Sequence, residues 1–430
     1  SKQIVCSTSF DTTIRIILTL DMSKKLLPAY LLTFVNVLGF SILMPILPFV
    51  VDSYGAPKWV FGLLLSLYSS FQFIGAPVLG ALSDTIGRKK ILLVSQGGTL
   101  LSWIIFAIAL TLPSYHVFGL ALPLVIIAIS RALDGITGGN VSVTNAYVSD
   151  ITSREEKSYI FGYLGGIAGL GMIIGPGIGG LTAASPLGYL GTIFTSIFIS
   201  VCTLIAIVTW LKESHPADDR IDYKRRSLKD VLYIPERIKT VNPAPIIKTI
   251  FTVKMIFSSM MGLYIGTMAL FLIDLFEFNE YQLGFFMFAV GTFLAFNQAF
   301  LSKRFVKYFG EFKTLLIGLL LCALGMISLT LSRNLVLFLG CYYILNLGLS
   351  LCFPTFNALI AIHANPKKQG EIMGISESIN SLAMAVFPIL AATLYGFIGY
   401  KLYYFVSALP FAAFALALIG SKKYGHQPVR

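Results

Sequence analysis

The segment Gly80-Ala-Leu-Ser-Asp-Thr-Ile-Gly-Arg-Lys-Lys90 separates two apolar stretches, 59–82 and 91–112. As a helix rising about 1.5 Å per residue, each stretch is long enough to cross a hydrocarbon core roughly 30 Å thick. The segment between them has the make-up of a tight turn at a membrane edge. Gly80 allows close helix contact, Gly87 permits chain reversal, and Arg88 to Lys90 reach for lipid headgroups. Asp84 has the wrong sign for headgroup anchoring and calls for a protein partner: a neighbouring Arg, or the positive N-terminus of a helix from the other half of the chain. A contact of the second kind exists in one conformation only. Gly80, Asp84, Gly87 and Arg88 are therefore read as a conformational latch.

The same alternation repeats along the chain, at 26–51, 118–149, 159–183, 188–211, 246–274, 281–301, 313–332, 335–363, 371–397 and 400–420. Backbone polar groups in hydrocarbon must pair internally, so each stretch is expected to be a helix. The fold class is an all-α polytopic membrane protein with twelve transmembrane helices. Composition agrees: 56% of residues are hydrophobic and 12% charged, against about 25% charged in soluble domains. One long polar segment, 212–245, divides the helices six and six. The expected organisation is an N-terminal arm (1–24), a first bundle (25–211), a linker (212–245), a second bundle (246–420) and a tail (421–430). Two such halves, each built from inverted three-helix units, are a transporter architecture.

Charge placement gives orientation and narrows function. The net charge of +12 gathers on one side, in Lys24, Lys25, Arg88 to Lys90, Arg154, Lys157, the linker, Lys303, Arg304, Lys307, Lys367, Lys368, Lys422 and Lys423. The opposite side carries Lys58, Arg333 and Lys401. Both termini and the linker are expected in the cytoplasm, where anionic headgroups rather than nucleic acid are partners of the excess charge. Cys6, Cys202, Cys322, Cys341 and Cys352 are scattered and suggest no disulfide framework. No cleavable signal pattern is read, and residues before Met22 are taken as a dispensable arm. No phosphate-binding loop occurs and the four His form no cluster, so neither ATP hydrolysis nor an enzyme active site is expected, and no metal or cofactor. A receptor or scaffold would need a large soluble domain, which the pattern lacks.

Ionisable residues inside hydrocarbon are expensive and are functional candidates by default. The fourth stretch reads Ser130-Arg-Ala-Leu-Asp-Gly-Ile-Thr-Gly-Gly139, with Arg131 and Asp134 three apart on one helix face. Asp134 is a titratable acid beside a fixed cation, its proton affinity set by a contest between burial and that cation. Lys254 and Glu377 lie in the seventh and eleventh stretches, each roughly 8–13 Å in from the cytoplasmic end. They are expected to pair within the second half, as a structural tie or as a further part of a charge relay. Asp274, at the outer end of the seventh stretch with Glu277 and Glu280, reads as a solvated rim charge. The fifth stretch holds Gly169-Leu-Gly-Met-Ile-Ile-Gly-Pro-Gly-Ile-Gly-Gly180, in which Gly171, Gly175 and Gly179 form a bare face and Pro176 bends the helix. The central lining is expected to draw polarity from Asn36, Arg131, Asp134, Asn297, Gln298, Asn346 and Asn357, with Tyr264 and several Phe as aromatic surface. Large apolar walls with few charges suit an amphipathic organic solute.

These motifs carry a resemblance. Residues 80–90 resemble the loop 2–3 signature of the major facilitator superfamily, with Ser83 and Thr85 as departures. Leu301-Ser-Lys-Arg-Phe-Val-Lys-Tyr-Phe-Gly310 resembles its degenerate second copy, with Gly310 aligned to Gly87. The string at 169–180 is similar to the fifth-span signature of the superfamily's proton-coupled antiporters, where the bend lies against the opposite half. Asn36-Val-Leu-Gly-Phe-Ser-Ile-Leu-Met-Pro-Ile-Leu-Pro48 resembles the first span of tetracycline-efflux proteins, with Asn36 where they carry an acid. Arg131 matches the family's R-x-x-q-G arginine, and Asp134 stands where glutamine is common.

The resemblance implies alternating access and proton-coupled export of a small amphipathic organic solute or drug. Asp134 and Arg131, then Glu377 and Lys254, are the coupling candidates, and Gly171, Gly175, Pro176 and Gly179 the fifth-span hinge. The expected partners are a small-molecule substrate, protons and membrane lipids, with a monomer in a bacterial cytoplasmic membrane and a proton gradient as energy source. The absence of an acid at Asn36 keeps a second reading open: a facilitator or importer of a metabolite such as an amino acid or siderophore.

Overall fold

The computed structural model describes residues 26–117, 119–153, 156–216, 234–331, 333–364 and 369–424. The expected N-terminal arm, half of the linker and the end of the tail lie outside them, as do Lys24, Lys25, Arg154, Lys367 and Lys368. Span 1 runs over Leu26–Ser41, loosens into turns, and resumes at Leu47–Ser53, where Pro48 sits at the start of the second piece and needs no amide partner. Span 2 is Trp59–Ile86, span 3 Arg88–Thr111, span 5 Lys157–Ala183 and span 6 Tyr189–Trp210. Span 4 is Leu122–Gly138 followed by Val141–Ile151. It starts later than the sequence suggests, because His116–Val117 and Leu120–Ala121 form a two-stranded hairpin. Span 7 is Pro245–Ile265 with Met268–Phe276, span 10 Leu335–His363, span 11 Gln369–Ile398 and span 12 Leu402–Tyr424. A short linker helix, Ile234–Val241, packs on span 11.

Spans 8 and 9 form one continuous run, from Glu280–Phe296 through a π-helical segment, Asn297–Ser302, into Lys303–Ser328. The chain reverses at Gly310, whose φ of 74° only glycine adopts without strain. Gly87, at φ 110°, does the same between spans 2 and 3. The two positions aligned in sequence are thus the same corner in the two halves. The polar segment 80–90 is not a loop: helix continues to Ile86 and restarts at Arg88, so the turn is one residue. With span 1 and the reversals at Gly310 and Gly399 counted, the described residues form twelve spans. The protein is an integral membrane protein.

Spans 2, 3, 4 and 6 pack on one another in the first bundle, and spans 7, 9, 10, 11 and 12 in the second. The bundles meet along two seams, span 2 with span 11 and span 5 with span 8. Both seams are tight at the end far from the linker. There a Cβ added to Gly62 would fall 2.4 Å from the Pro388 carbonyl oxygen, and one added to Gly180 would fall 2.7 Å from that of Glu280. Ser66 Oγ accepts from the Ile389 amide at 3.2 Å. Toward the linker end the bundles part: a methyl on Gly162, Gly165, Gly166 or Gly169 of span 5 would meet open space. The cleft between the bundles is shut at the far end and open at the linker end.

Candidate functional site

Arg131 and Asp134 sit inside the first bundle rather than on the cleft wall. They are 2% and 3% exposed, and Nη1 lies 3.1 Å from Oδ2. Three-residue spacing on span 4 brings them onto one face, and span 3 supplies the cage. The guanidinium lies 4.7 Å from the ring centre of Trp103 and 5.5 Å from that of Phe106. Cation–π contacts of this kind give about 2 kcal/mol when desolvated, and they compensate a cation that has left water. Thr99 and Ser102 bring hydroxyls beside the carboxylate. Among the described residues, Arg131 Nε and Nη2 have no hydrogen-bond partner. A group with two free donors and one titratable partner changes its balance sharply when that partner takes a proton. The sequence placed both residues in the central lining; burial against Trp103 corrects that.

Span 2 closes over this pair through glycine. A Cβ on Gly135 would lie 2.4 Å from the Tyr68 carbonyl oxygen, one on Gly139 2.4 Å from the Ala76 nitrogen, and one on Gly75 2.3 Å from the Ile136 oxygen. Span 4 then breaks at Gly139 and Asn140, and Asn36 of span 1 donates to Asn140 Oδ1 at 2.5 Å. Asn36 is thus committed to a contact within the first bundle.

In the second bundle Lys254 of span 7 donates to Ser376 Oγ at 2.6 Å and lies 3.5 Å from Glu377 Oε1. The two side chains differ in setting: Lys254 is 9% exposed and Glu377 64%. Ser258 and Asn380, one turn further along each helix, continue the polar strip at 3.4 Å. Asn297, Asn346 and Tyr264, expected to line the centre, are instead tied within the bundle. Asn297 donates to Asn346 Oδ1 at 3.2 Å, Tyr343 donates to Asn297 at 3.1 Å, and the Tyr264 hydroxyl bonds that of Tyr342. Burial of a carboxamide requires such partners, so amide–amide pairing removes these groups from the lining. Gln298 is half-buried and Asn357 exposed.

Asp84 takes the first of its two expected partners. Arg88 Nη1 is 2.5 Å from Asp84, Arg88 Nε 3.1 Å from Asp150, and Glu213 accepts from the amides of Arg88 and Lys89. Gly80 lets the Ser142 hydroxyl approach, so spans 2 and 4 stay joined here. Among the described residues this cluster ties the first bundle to the start of the linker and does not reach the second bundle. The fifth-span stripe divides between two neighbours. Gly171, Gly175 and Gly179 pack on span 1: a Cβ on Gly175 would fall 1.9 Å from Ser41 Oγ, and one on Gly179 2.1 Å from the Ile42 oxygen. The opposite bundle meets Gly177, Gly180 and the Pro176 carbonyl, through Phe288 and Gly284.

Two contacts that sequence reasoning missed bridge the bundles at the far end. Lys58 pairs with Asp274 and lies 5.1 Å from the Tyr395 ring, and the Tyr189 hydroxyl donates to Glu280 at 2.9 Å. Asp274 is therefore an inter-bundle ion-pair partner, not a solvated rim charge. The available signal was Lys58, one of few basic residues expected at that end.

Comparison with known proteins places this arrangement. The Major Facilitator Superfamily description matches residues 29–388, and the chain belongs to that superfamily. The chain is 28% identical over 375 residues to the class B tetracycline resistance protein of Escherichia coli, covering 85% of this chain and 87% of the relative. It is 26% identical over 395 residues to the class H protein of Pasteurella multocida, covering 87% and 90%. The solved human organic anion transporter MFSD10 superposes with a TM-score of 0.70 at 23% identity, covering 92% of this chain and 99% of that one. An inward-facing bacterial homologue of the lysosomal transporter Spinster gives 0.73 at 11% identity, covering 93% and 96%. The chain is a transporter of this fold and not an enzyme.

Proposed function

We propose that the protein is a secondary active exporter that exchanges a small amphipathic organic solute for protons by alternating access. The observation that carries this reading is the sealed Arg131–Asp134 pair beside a cleft open at one end only. A proton on Asp134 removes the one ionic partner that Arg131 has among the described residues, and that change is felt directly at the contact with span 2. The tetracycline resistance proteins among the relatives support an exported organic solute. In this reading the linker end is cytoplasmic, the membrane is a bacterial cytoplasmic membrane, and the chain works as a monomer. The excess of Lys and Arg at the linker end supports the orientation.

A second reading follows from the second bundle. Lys254 is a buried cation whose carboxylate partner is largely exposed, and MFSD10 is named an organic anion transporter. An anionic solute entering the cleft would compete with Glu377 for Lys254. Purified protein in liposomes separates the readings. Imposed pH gradients drive uptake of an amphipathic organic solute in the first case, and Asp134→Asn abolishes the gradient response. Uptake of organic anions that ignores the gradient and falls with Lys254→Gln selects the second.

A further inference from the structure

We infer that the groove between spans 8 and 10 seats one phospholipid from the leaflet opposite the linker, with a headgroup of the phosphoethanolamine type. The groove has a volume of about 670 Å³, well inside the range of about 300–1,000 Å³ for small-molecule sites. It faces out of the molecule. On span 8, Gly284 and Gly291 meet span 5, whereas Tyr281, Phe285, Ala289 and Phe293 line the groove from the opposite helix face. Phe285 and Phe293 on that face are exposed, the setting of rings that meet acyl chains.

The floor asks for hydrocarbon. Tyr343 and Asn346 contribute polar atoms there, but the Tyr343 hydroxyl is spent on Asn297 and the Asn346 amide on the Val290 carbonyl at 3.0 Å. The floor keeps its aromatic faces. The length asks for an acyl chain. From Glu280 to Phe293 the wall of span 8 runs about 20 Å at 1.5 Å per residue, one leaflet of a core roughly 30 Å thick with its headgroup margin.

The rim specifies the headgroup. Glu277 directly precedes Phe278, which lines the groove, and Arg333 stands two residues before Leu335, which lines the facing wall. Both are exposed, and neither enters an ion pair among the described residues. An anion and a cation placed next in the chain to the two walls, at the same end of the groove, match a headgroup carrying a phosphate and a primary ammonium. A headgroup that is only anionic satisfies Arg333 and is repelled by Glu277.

Native mass spectrometry of the purified full chain, titrated with dioleoyl phosphatidylethanolamine or dioleoyl phosphatidylglycerol, tests this. One ethanolamine lipid should be retained, preferred over the glycerol lipid by about five-fold, the size of one exposed ion pair. Glu277→Gln should bring the two lipids to parity. Gly340→Leu fills the groove from a position where a new side chain meets open space, so it leaves the fold intact. Together with Ala289→Trp it should remove the bound lipid, with unchanged thermal unfolding checked for each. Equal retention of both lipids by the unaltered chain overturns the proposal. So does retention that neither groove-filling variant disturbs, displacement of the lipid by an amphipathic solute at equal concentration, or a lipid-free dimer.

Discussion

The pairing of spans 2 and 4 and the pairing of spans 8 and 10 hold equivalent places in the two bundles, and they are built by opposite means. Spans 2 and 4 close backbone to backbone through Gly75, Gly135 and Gly139, with a charge pair locked behind them. Spans 8 and 10 are propped apart by rings: Phe286 against Tyr342 at 5.0 Å and Phe293 against Tyr343 at 6.0 Å. Small residues allow main chains to approach and gain dispersion along their whole length. Aromatic spacers fix a distance and leave room. The first bundle therefore behaves as a rigid housing for a buried charge, and the second as a frame with exposed polar and apolar surfaces.

The largest test of that contrast is removal of charge. Arg131→Ala leaves Asp134 buried without its cation and should cost about 3–5 kcal/mol, read as loss of thermal stability in detergent together with loss of proton-driven transport. Glu377→Gln in the second bundle removes an exposed carboxylate and should cost less than about 1 kcal/mol. Equal losses would break the comparison. Next comes packing. Gly135→Val forces a side chain into the Tyr68 backbone and should destabilise by about 1–3 kcal/mol or more, whereas Ala289→Val, pointing into the groove, should change the unfolding midpoint little. The smallest effect is at the far end. Lys58 and Asp274 are partly exposed, and Lys58→Ala should cost at most about 1 kcal/mol. It should still raise labelling of a cysteine placed at Ser66, a side chain buried in that seam, because the contact holds the far end shut. Unchanged labelling would assign closure to the helix seams alone.

The spans were legible in the sequence because apolar length is a local property, and hydrocarbon forbids any other backbone solution. The Arg131–Asp134 pair was legible as a three-residue spacing. Lys254 and Glu377 were legible as two costly charges that needed each other. Asp274 was misread because its partner lies 216 positions away, across the bundle boundary. Asn297 and Asn346 were misread because a carboxamide in a span looks the same whether it faces a cavity or another carboxamide. The glycine stripe of span 5 showed that something approaches closely, but not that span 1 takes that face while span 8 takes the one beside it. The groove left no mark, since it is made by contacts that do not form.

The π-helical stretch at Asn297–Ser302 carries one more consequence. A wide turn inserts a residue without ending the helix, so the azimuth of everything after it slips by about 100° relative to an uninterrupted helix. Above the slip, span 8 presents Gly284 and Gly291 to span 5; below it, the same register would have carried Lys303, Arg304 and Lys307 to another bearing. Deleting Gln298 would restore continuous winding and rotate that basic end as a block, leaving the upper half where it stands. A single residue of length thus works as a phase setting for half a span.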